Sequence, residues 1–256
     1  MCTNYVPSRG SRLTATLGLT DPGLAWRNEV WPGHLAPMIR RPHEPADDVA
    51  QIVPACFGLI PGWSRDGRNY RHCYNARSET VAEKPSFRHA WRRGQFCLVP
   101  ADAFFEPNYE SGRPVRWRIA QANGEPMSLA GIWDAWRRPD TANPGNTAPM
   151  GPADAATLAG EWLLSFSLLT INADGHDMMG RFHAPGDEKR SVVIISGADR
   201  QAWLNAPPEQ ARQMLRLPAP GQLVTEPAPR RAGPPRQPAP PRPRRRQQGQ
   251  QDLPDM

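Results

Sequence analysis

The sequence predicts an α+β fold, a strand-rich body with short helices followed by a disordered basic tail. Three observations lead there. Segments at 95–100, 115–119, 127–133, 162–172 and 191–195 have the β-branched and aromatic composition of strands. The spacers between them lack regular helices of about 10–15 residues, which argues against a parallel doubly wound sheet. From about residue 218 the chain turns to Pro, Arg, Gln and Ala, with almost no large apolar residue after Val224, so this stretch cannot bury a core.

Each element has its own signal. Phe57–Gly58–Leu59–Ile60–Pro61–Gly62–Trp63 reads as an apolar strand ending in a Pro-Gly turn, with Trp63 just beyond it. Trp63 either caps the core or stands exposed, where it could stack on a nucleobase. Residues 86–93 read as a helix, opened by Ser86 after Pro85 and closed by Gly94. A strand follows at 95–100, then an aromatic run into Glu106. Residues 137–160 are rich in Pro, Gly, Ala and Thr and read as a long surface loop between two strands. The strands at 162–172 and 191–195 flank a polar loop that holds His176 and His183. Helices are expected at 199–204, behind an Asp cap, and at 208–215, with a proline in its first turn.

The length of 256 residues suits one domain, 1–217, plus the tail, 218–256. The net charge is +6, but residues 230–256 carry seven arginines against Asp252 and Asp255, so the body is close to neutral. An anion-binding surface on the body must therefore come from local clustering, while the tail offers non-specific attraction to phosphates. The four cysteines, Cys2, Cys56, Cys73 and Cys97, show no C-x-x-C spacing, and no His pair has metal-site spacing. Neither a metal nor a cofactor is expected. No signal peptide is visible and no apolar run approaches the roughly 18 residues of a membrane span. A cytoplasmic, reducing setting follows, with no membrane partner and free thiols.

Cys2 stands directly behind Met1. Removal of Met1 would leave an amine and a thiol on one residue, a 1,2-aminothiol that no internal cysteine offers. Such a group can act as an N-terminal nucleophile with its own amine as base. It can also condense with an aldehyde, the amine forming a Schiff base and the thiol closing a five-membered thiazolidine. Reference pKa values of about 8 for the amine and about 8.5 for the thiol leave both partly deprotonated near neutral pH.

Three further constellations carry chemistry. In an extended 71–80, the alternating Asn75, Arg77 and Glu79 share one face, supplying an amide and a phosphate-binding fork. Glu106 follows Phe104 and Phe105, and a carboxylate desolvated by aromatics suits general acid–base work. His176 and His183 lie in a loop at a strand end, where a histidine can shuttle protons. Taken singly, each has a bland alternative as an ordinary polar edge, a surface carboxylate or a solvated loop histidine.

Taken together and in order, these segments resemble the SOS response-associated peptidase (SRAP) family. The matching elements are Met1-Cys2, F-G-L-I-P-G-W at 57–63, Y-N-A-R-S-E-T at 74–80 and C-L-V-P-A-D-A-F-F-E at 97–106. They continue with L-A-G-I-W at 129–133 and L-L-T-I-N-A at 168–173 with its histidine-bearing loop, over roughly residues 1–225. The chain departs from the family pattern at Thr3-Asn4, where Gly-Arg is common, and at Pro107, where Trp is common. It also lacks the R-M-P that usually follows the family histidine.

The resemblance implies mostly antiparallel sheets forming a barrel-like core with short flanking helices. It also implies a DNA-repair protein of the SOS response that senses abasic sites in single-stranded DNA through a thiazolidine at Cys2. On it, Cys2, Asn75, Glu106 and His183 would be catalytic, with His176 the fallback for His183, and Asn75, Arg77 and Trp63 would contact DNA. A nucleoid-associated monomer acting as a peptide-bond hydrolase or a lyase is the matching expectation. Two other classes compete: a thiol peptidase using Cys2 for self-processing, and a non-covalent single-strand-binding module with an incidental Cys2.

Overall fold

The computed structural model describes residues 2–15, 18–42, 49–138 and 161–230. Five strands close a barrel: β2 (Leu35–Arg40), β3 (Gln51–Phe57), β5 (Phe96–Asn108), β7 (Met127–Arg137) and β8 (Trp162–Asn172). The circuit runs β7–β8–β3–β2–β5 and returns to β7. β5 and β7 pair from Phe96↔Ile132 to Ala101↔Met127, and the later half of β5 pairs with β6 (Val115–Gln121) instead. Six shorter or flanking strands extend the sheet, and the pairing is antiparallel except for β3 and β4 (Asn75–Arg77) against β8.

β5 and β8 are buried along most of their length because both faces are covered, which is why they read as nearly unbroken apolar runs. One face packs the barrel interior, where Val99, Phe104, Phe166 and Leu168 meet Tyr5, Met38 and Phe57. Leu98, Ile132 and Leu169 look the other way, toward Trp91 and Trp203. These tryptophans come from α2 (Arg88–Arg92) and α3 (Arg200–Asn205); Phe96 lies between them, its ring centroid 5.1 Å from Trp91 and 4.9 Å from Trp203. The Trp203 indole donates to the Cys97 carbonyl at 2.9 Å, tying α3 to β5. Asp199 stands at the start of α3, but its carboxylate accepts the Ser196 hydroxyl rather than a helix amide. α4 (Pro208–Met214) begins on its proline, and a single turn, α1 (Ser11–Thr14), buries Leu13.

β1 (Tyr5–Pro7) lies along β5, with Tyr5 opposite Phe104, and exchanges hydrogen bonds with Val30 on its other side. The N-terminal arm is therefore held from both flanks. Beyond β8, β9 (Arg190–Val192) and β10 (Ile194–Ile195) divide the strand expected at 191–195 between two partners, β8 and β7.

Part of the stretch expected as tail from 218 onward is a strand. β11 (Leu223–Pro227) pairs with β6 from Leu223↔Gln121 to Pro227↔Trp117. Of its side chains only Leu223 is fully buried, so backbone pairing rather than apolar composition recruits this segment. Arg230 then lies 4.3 Å from the centre of a Trp31 ring. The remaining tail, 231–256, and most of the loop expected at 137–160 lie outside the described residues. At the base of that loop, β7 and β8 meet at Arg137↔Trp162. Among the described residues no helix is long and apolar enough to cross a membrane, and no group of His, Cys, Asp and Glu side chains could hold a metal ion.

Candidate active site

Four of the side chains singled out in the sequence converge at one end of the barrel. Cys2 precedes β1 and has no solvent exposure. Its thiol donates to the Asn4 carbonyl at 3.4 Å and also lies against the Phe105 amide. Burial pushes the thiol pKa well up, and the nearby Glu106 carboxylate pushes it further, so the sulfur is a neutral thiol at physiological pH.

Asn75 opens β4, whose parallel register sets it opposite Leu168. Its side-chain amide donates to the Cys2 carbonyl at 2.8 Å, while its Oδ1 is buried with no hydrogen-bond partner. An orphaned buried acceptor is uncommon, and beside Cys2 it offers a place for a donor such as an amine.

Glu106 sits on the face of β5 that also carries Phe104 and is 2% exposed. His183 Nε2 lies 3.2 Å from Glu106 Oε2. The loop reaches β5 through the His183 amide, which donates to the Pro107 carbonyl at 2.9 Å, next to a bridge between Phe182 and Asn108. His183 adopts φ 69°, the only non-glycine residue with positive φ among those described. Its carbonyl and that of Ala184 accept from Lys189 Nζ. A non-glycine left-handed conformation persists only where surrounding contacts enforce it, and here those contacts aim the imidazole at Glu106.

His176 has a different job. Its Nδ1 accepts the Met178 and Met179 amides at 3.2 and 3.1 Å, and its Nε2 donates to the Pro218 carbonyl at 2.9 Å. Both ring nitrogens are engaged in tying a 3₁₀ turn at Met179–Arg181 to the approach to β11.

Trp63 and Arg77 stand outside this quartet. The turn that carries Trp63 is pinned to β7, the Gly62 amide donating to Asp134 and the Trp136 indole to the Ser64 carbonyl. Trp63 itself is 56% exposed, and the core position in this corner belongs to Trp136. Arg77 is half-exposed and donates to Glu188 at 2.6 Å. Glu79 lies past the end of β4 and receives the buried Arg190 guanidinium through both oxygens.

The structure adds residues that the sequence did not suggest. Asn4 is buried; its side chain donates to Glu29 at 2.9 Å, and Arg116 donates to the same carboxylate oxygen at 2.8 Å. The Arg116 guanidinium lies 3.3 Å over the Phe105 ring. Since the Asn4 carbonyl accepts both the Cys2 thiol and the Phe105 amide, this chain of contacts fixes the arm that presents Cys2. Glu29 lies 87 positions from Arg116, and no local pattern links them; Asn4 alone carried a signal, as a departure from the family pattern.

The arrangement places a buried thiol, an amide and a carboxylate–imidazole pair together, sufficient for nucleophilic addition with proton transfer. Several known proteins share the chain's sequence or fold. The Abasic site processing protein YoqW of Bacillus subtilis (strain 168) is 35% identical over 150 residues, 58% of this chain and 55% of that protein. The Abasic site processing protein HMCES of Xenopus tropicalis is 24% identical over 202 residues, 70% of this chain and 53% of that protein. The matches thus span about half the length of these curated relatives. A crystal structure of a protein from Bordetella bronchiseptica superposes with a TM-score of 0.73 at 31% identity, covering 89% of this chain and 99% of that one. One from Bacteroides thetaiotaomicron, at 21% identity and a TM-score of 0.66, shares the fold over 88% of this chain and 90% of that one. The family described as SOS response associated peptidase (SRAP) matches residues 1–232, and the chain belongs to that family.

Proposed function

We propose that the protein captures abasic sites in single-stranded DNA covalently, through a thiazolidine formed at Cys2 once Met1 has been removed. The observation that carries this reading is the burial of Cys2 beside the Glu106–His183 pair, with Asn75 bonded to the Cys2 carbonyl. The related proteins described as abasic site processing proteins support it.

An abasic sugar equilibrates between a closed hemiacetal and an open aldehyde. Glu106 or His183 assists the opening by proton transfer. The Cys2 amine adds to the aldehyde carbon, forming the C–N bond while the carbonyl oxygen takes a proton. Glu106 then protonates the hydroxyl, which leaves as water, and an imine results. The Cys2 sulfur adds to the imine carbon, its proton passes to the nitrogen, and the five-membered ring closes. Burial disfavours the Cys2 thiolate, so the amine adds first and the sulfur closes the ring on the protonated imine. Asn75 orients the amine through the Cys2 carbonyl, Arg77 binds a neighbouring phosphate, and Trp63 stacks on an exposed base. Single-stranded DNA fits, since a paired and stacked strand would block approach to the sugar.

Intact mass after incubation with abasic single-stranded DNA and a denaturing, hydrolytic wash tests this. The expected species is the Met1-less protein plus DNA less one water, and Cys2→Ala, limited to a hydrolysable imine, should not retain it. A Cys2→Ala protein that crosslinks as well as wild type would overturn the reading. The peptidase named in the family description supports a second reading, in which Cys2 attacks a peptide carbonyl. Release of peptide fragments from a protein substrate, lost in Cys2→Ala, would favour it.

A further inference from the structure

Arg77 is the phosphate contact of the proposed function, yet it already holds an anion. Its Nη1 lies 2.6 Å from Glu188 Oε2. The other oxygen of Glu188 receives Arg190 Nη1 at 2.6 Å and Asn172 Nδ2 at 3.1 Å. Arg190 is 2% exposed and is itself fixed by the Thr170 carbonyl at 2.7 Å and by Glu79. Glu188 is therefore anchored from the protein side through one oxygen and presents the other to an arginine that is half in solvent. The bond from Arg190 holds the Glu188 carboxyl below its usual range, so it remains an anion at neutral pH.

We propose that Glu188 is a built-in anion that occupies Arg77 in the DNA-free protein and is exchanged for a DNA phosphate on binding. This rests on the assignment of Arg77 to a phosphate. Two features favour exchange over permanent pairing. Arg77 reaches out from a short strand on a flexible side chain, whereas Glu188 is tethered, so it is the arginine that moves. A carboxylate oxygen and a phosphate oxygen are also both charge-assisted acceptors for a guanidinium N–H, and they compete for it. Before exchange, Glu188 cancels the charge of Arg77 and weakens attraction to strands that offer nothing else. Glu188 would then set selectivity: weak on intact single strands, with the aldehyde's covalent capture making up the difference on damaged ones.

The test uses the full chain and an unmodified single-stranded oligodeoxynucleotide, which holds no aldehyde and reports non-covalent binding alone. Glu188→Gln keeps the side chain's shape and removes its charge. It should tighten binding by about two- to fivefold at low salt, the scale of an exposed ion pair. Its log Kd against log salt should steepen by up to about 0.7, one phosphate contact on a single strand. In an Arg77→Ala background the same change should give no gain. Glu188→Ala, which cannot accept from Arg190 in the same way, serves as a second variant and should also tighten binding. A gain cannot arise from misfolding, so it separates exchange from a structural role. Unchanged or weaker binding in both variants, or a gain that persists without Arg77, would overturn the exchange. Arg77→Ala binding as well as wild type would overturn it too, by removing its premise. Crosslinking of abasic DNA is scored separately, and its absence would sink the covalent reading while leaving the exchange standing.

Discussion

Glu106 and His183 are both removed from water and 3.2 Å apart, so a proton can pass between them and a bound substrate without a solvent relay. Glu106→Gln preserves shape and removes the transferable proton. Single-turnover crosslinking should slow by about 10²–10⁴-fold, the usual scale for a general acid–base group. A Gln variant that reacts at the wild-type rate would remove Glu106 from the chemistry. The two histidines should separate cleanly. His183→Ala should slow crosslink formation or reversal with little change in melting temperature. His176→Ala should lower the melting temperature instead, since three hydrogen bonds end on that ring, and should leave the chemistry largely intact. A stable His176→Ala protein that cannot crosslink would reverse the assignment. Sequence alone left this choice open because both residues occupy one polar loop. The two rings differ in what they touch, His176 the Met178 and Met179 amides and the Pro218 carbonyl, His183 the Glu106 carboxylate, and these are tertiary contacts that no local pattern shows.

At the scale of elements, the strand at 162–172 is found where its apolar run placed it, and the strands beginning at 115 and 127 continue past their expected ends. A run buried on both faces advertises itself by composition. β7 is longer because β8 continues the pairing through Asp134 and Arg137, and β6 because β11 pairs with Ala120 and Gln121. β1, β2 and β11 escaped notice because prolines and polar residues interrupt them, and the strand expected to run from Phe57 toward Pro61 instead ends at Phe57, having begun at Gln51. β2 and β3 even pair Pro37 with Pro54, which no propensity rule would place inside a barrel. The excursion from Gly58 to Tyr74 between β3 and β4 turns on one glycine. Gly58 has φ 107°, and a Cβ there would run into the backbone of Tyr70. Gly58→Ala should therefore destabilise the protein by at least about 1–3 kcal/mol and displace the segment that delivers Asn75. Chemical denaturation measures this, and a variant as stable as wild type would show that the turn can relax.

For the molecule as a whole, charge is placed unevenly along the chain, with a near-neutral body and an arginine-rich end. Truncation after Arg230 retains β11 and the Arg230–Trp31 contact while removing six of the seven tail arginines. Crosslinking at moderate salt should survive, and affinity for unmodified single strands should fall mainly at low salt, where long-range charge attraction is least screened. If crosslinking vanished at every salt concentration, the tail would belong to the site. Alkaline pH probes the interior. The buried thiols of Cys2 and Cys97 and the buried Tyr5 phenol all have raised pKa values, first because of burial. The unfolded chain releases these protons near the ordinary thiol and phenol values, whereas the folded chain keeps them. Stability is therefore fully present below about pH 8.5 and declines as pH rises through 9 and 10. Melting curves from pH 8 to 10.5 should show that decline, less steep in Cys2→Ala; equal slopes would mean that the Cys2 thiol stays protonated in the unfolded chain as well.

The complete burial of Cys2 also bears on how long the protein remains usable. Under the proposed covalent capture, Cys2 would have to reach its lesion unspent. Peroxides and cellular electrophiles attack exposed thiolates fastest, and Cys2 is neither exposed nor ionised. DNA damage often arises under the same oxidative conditions that destroy reactive cysteines. On the proposed reading, a sulfur kept from solvent would survive those conditions as a chemically fresh reagent.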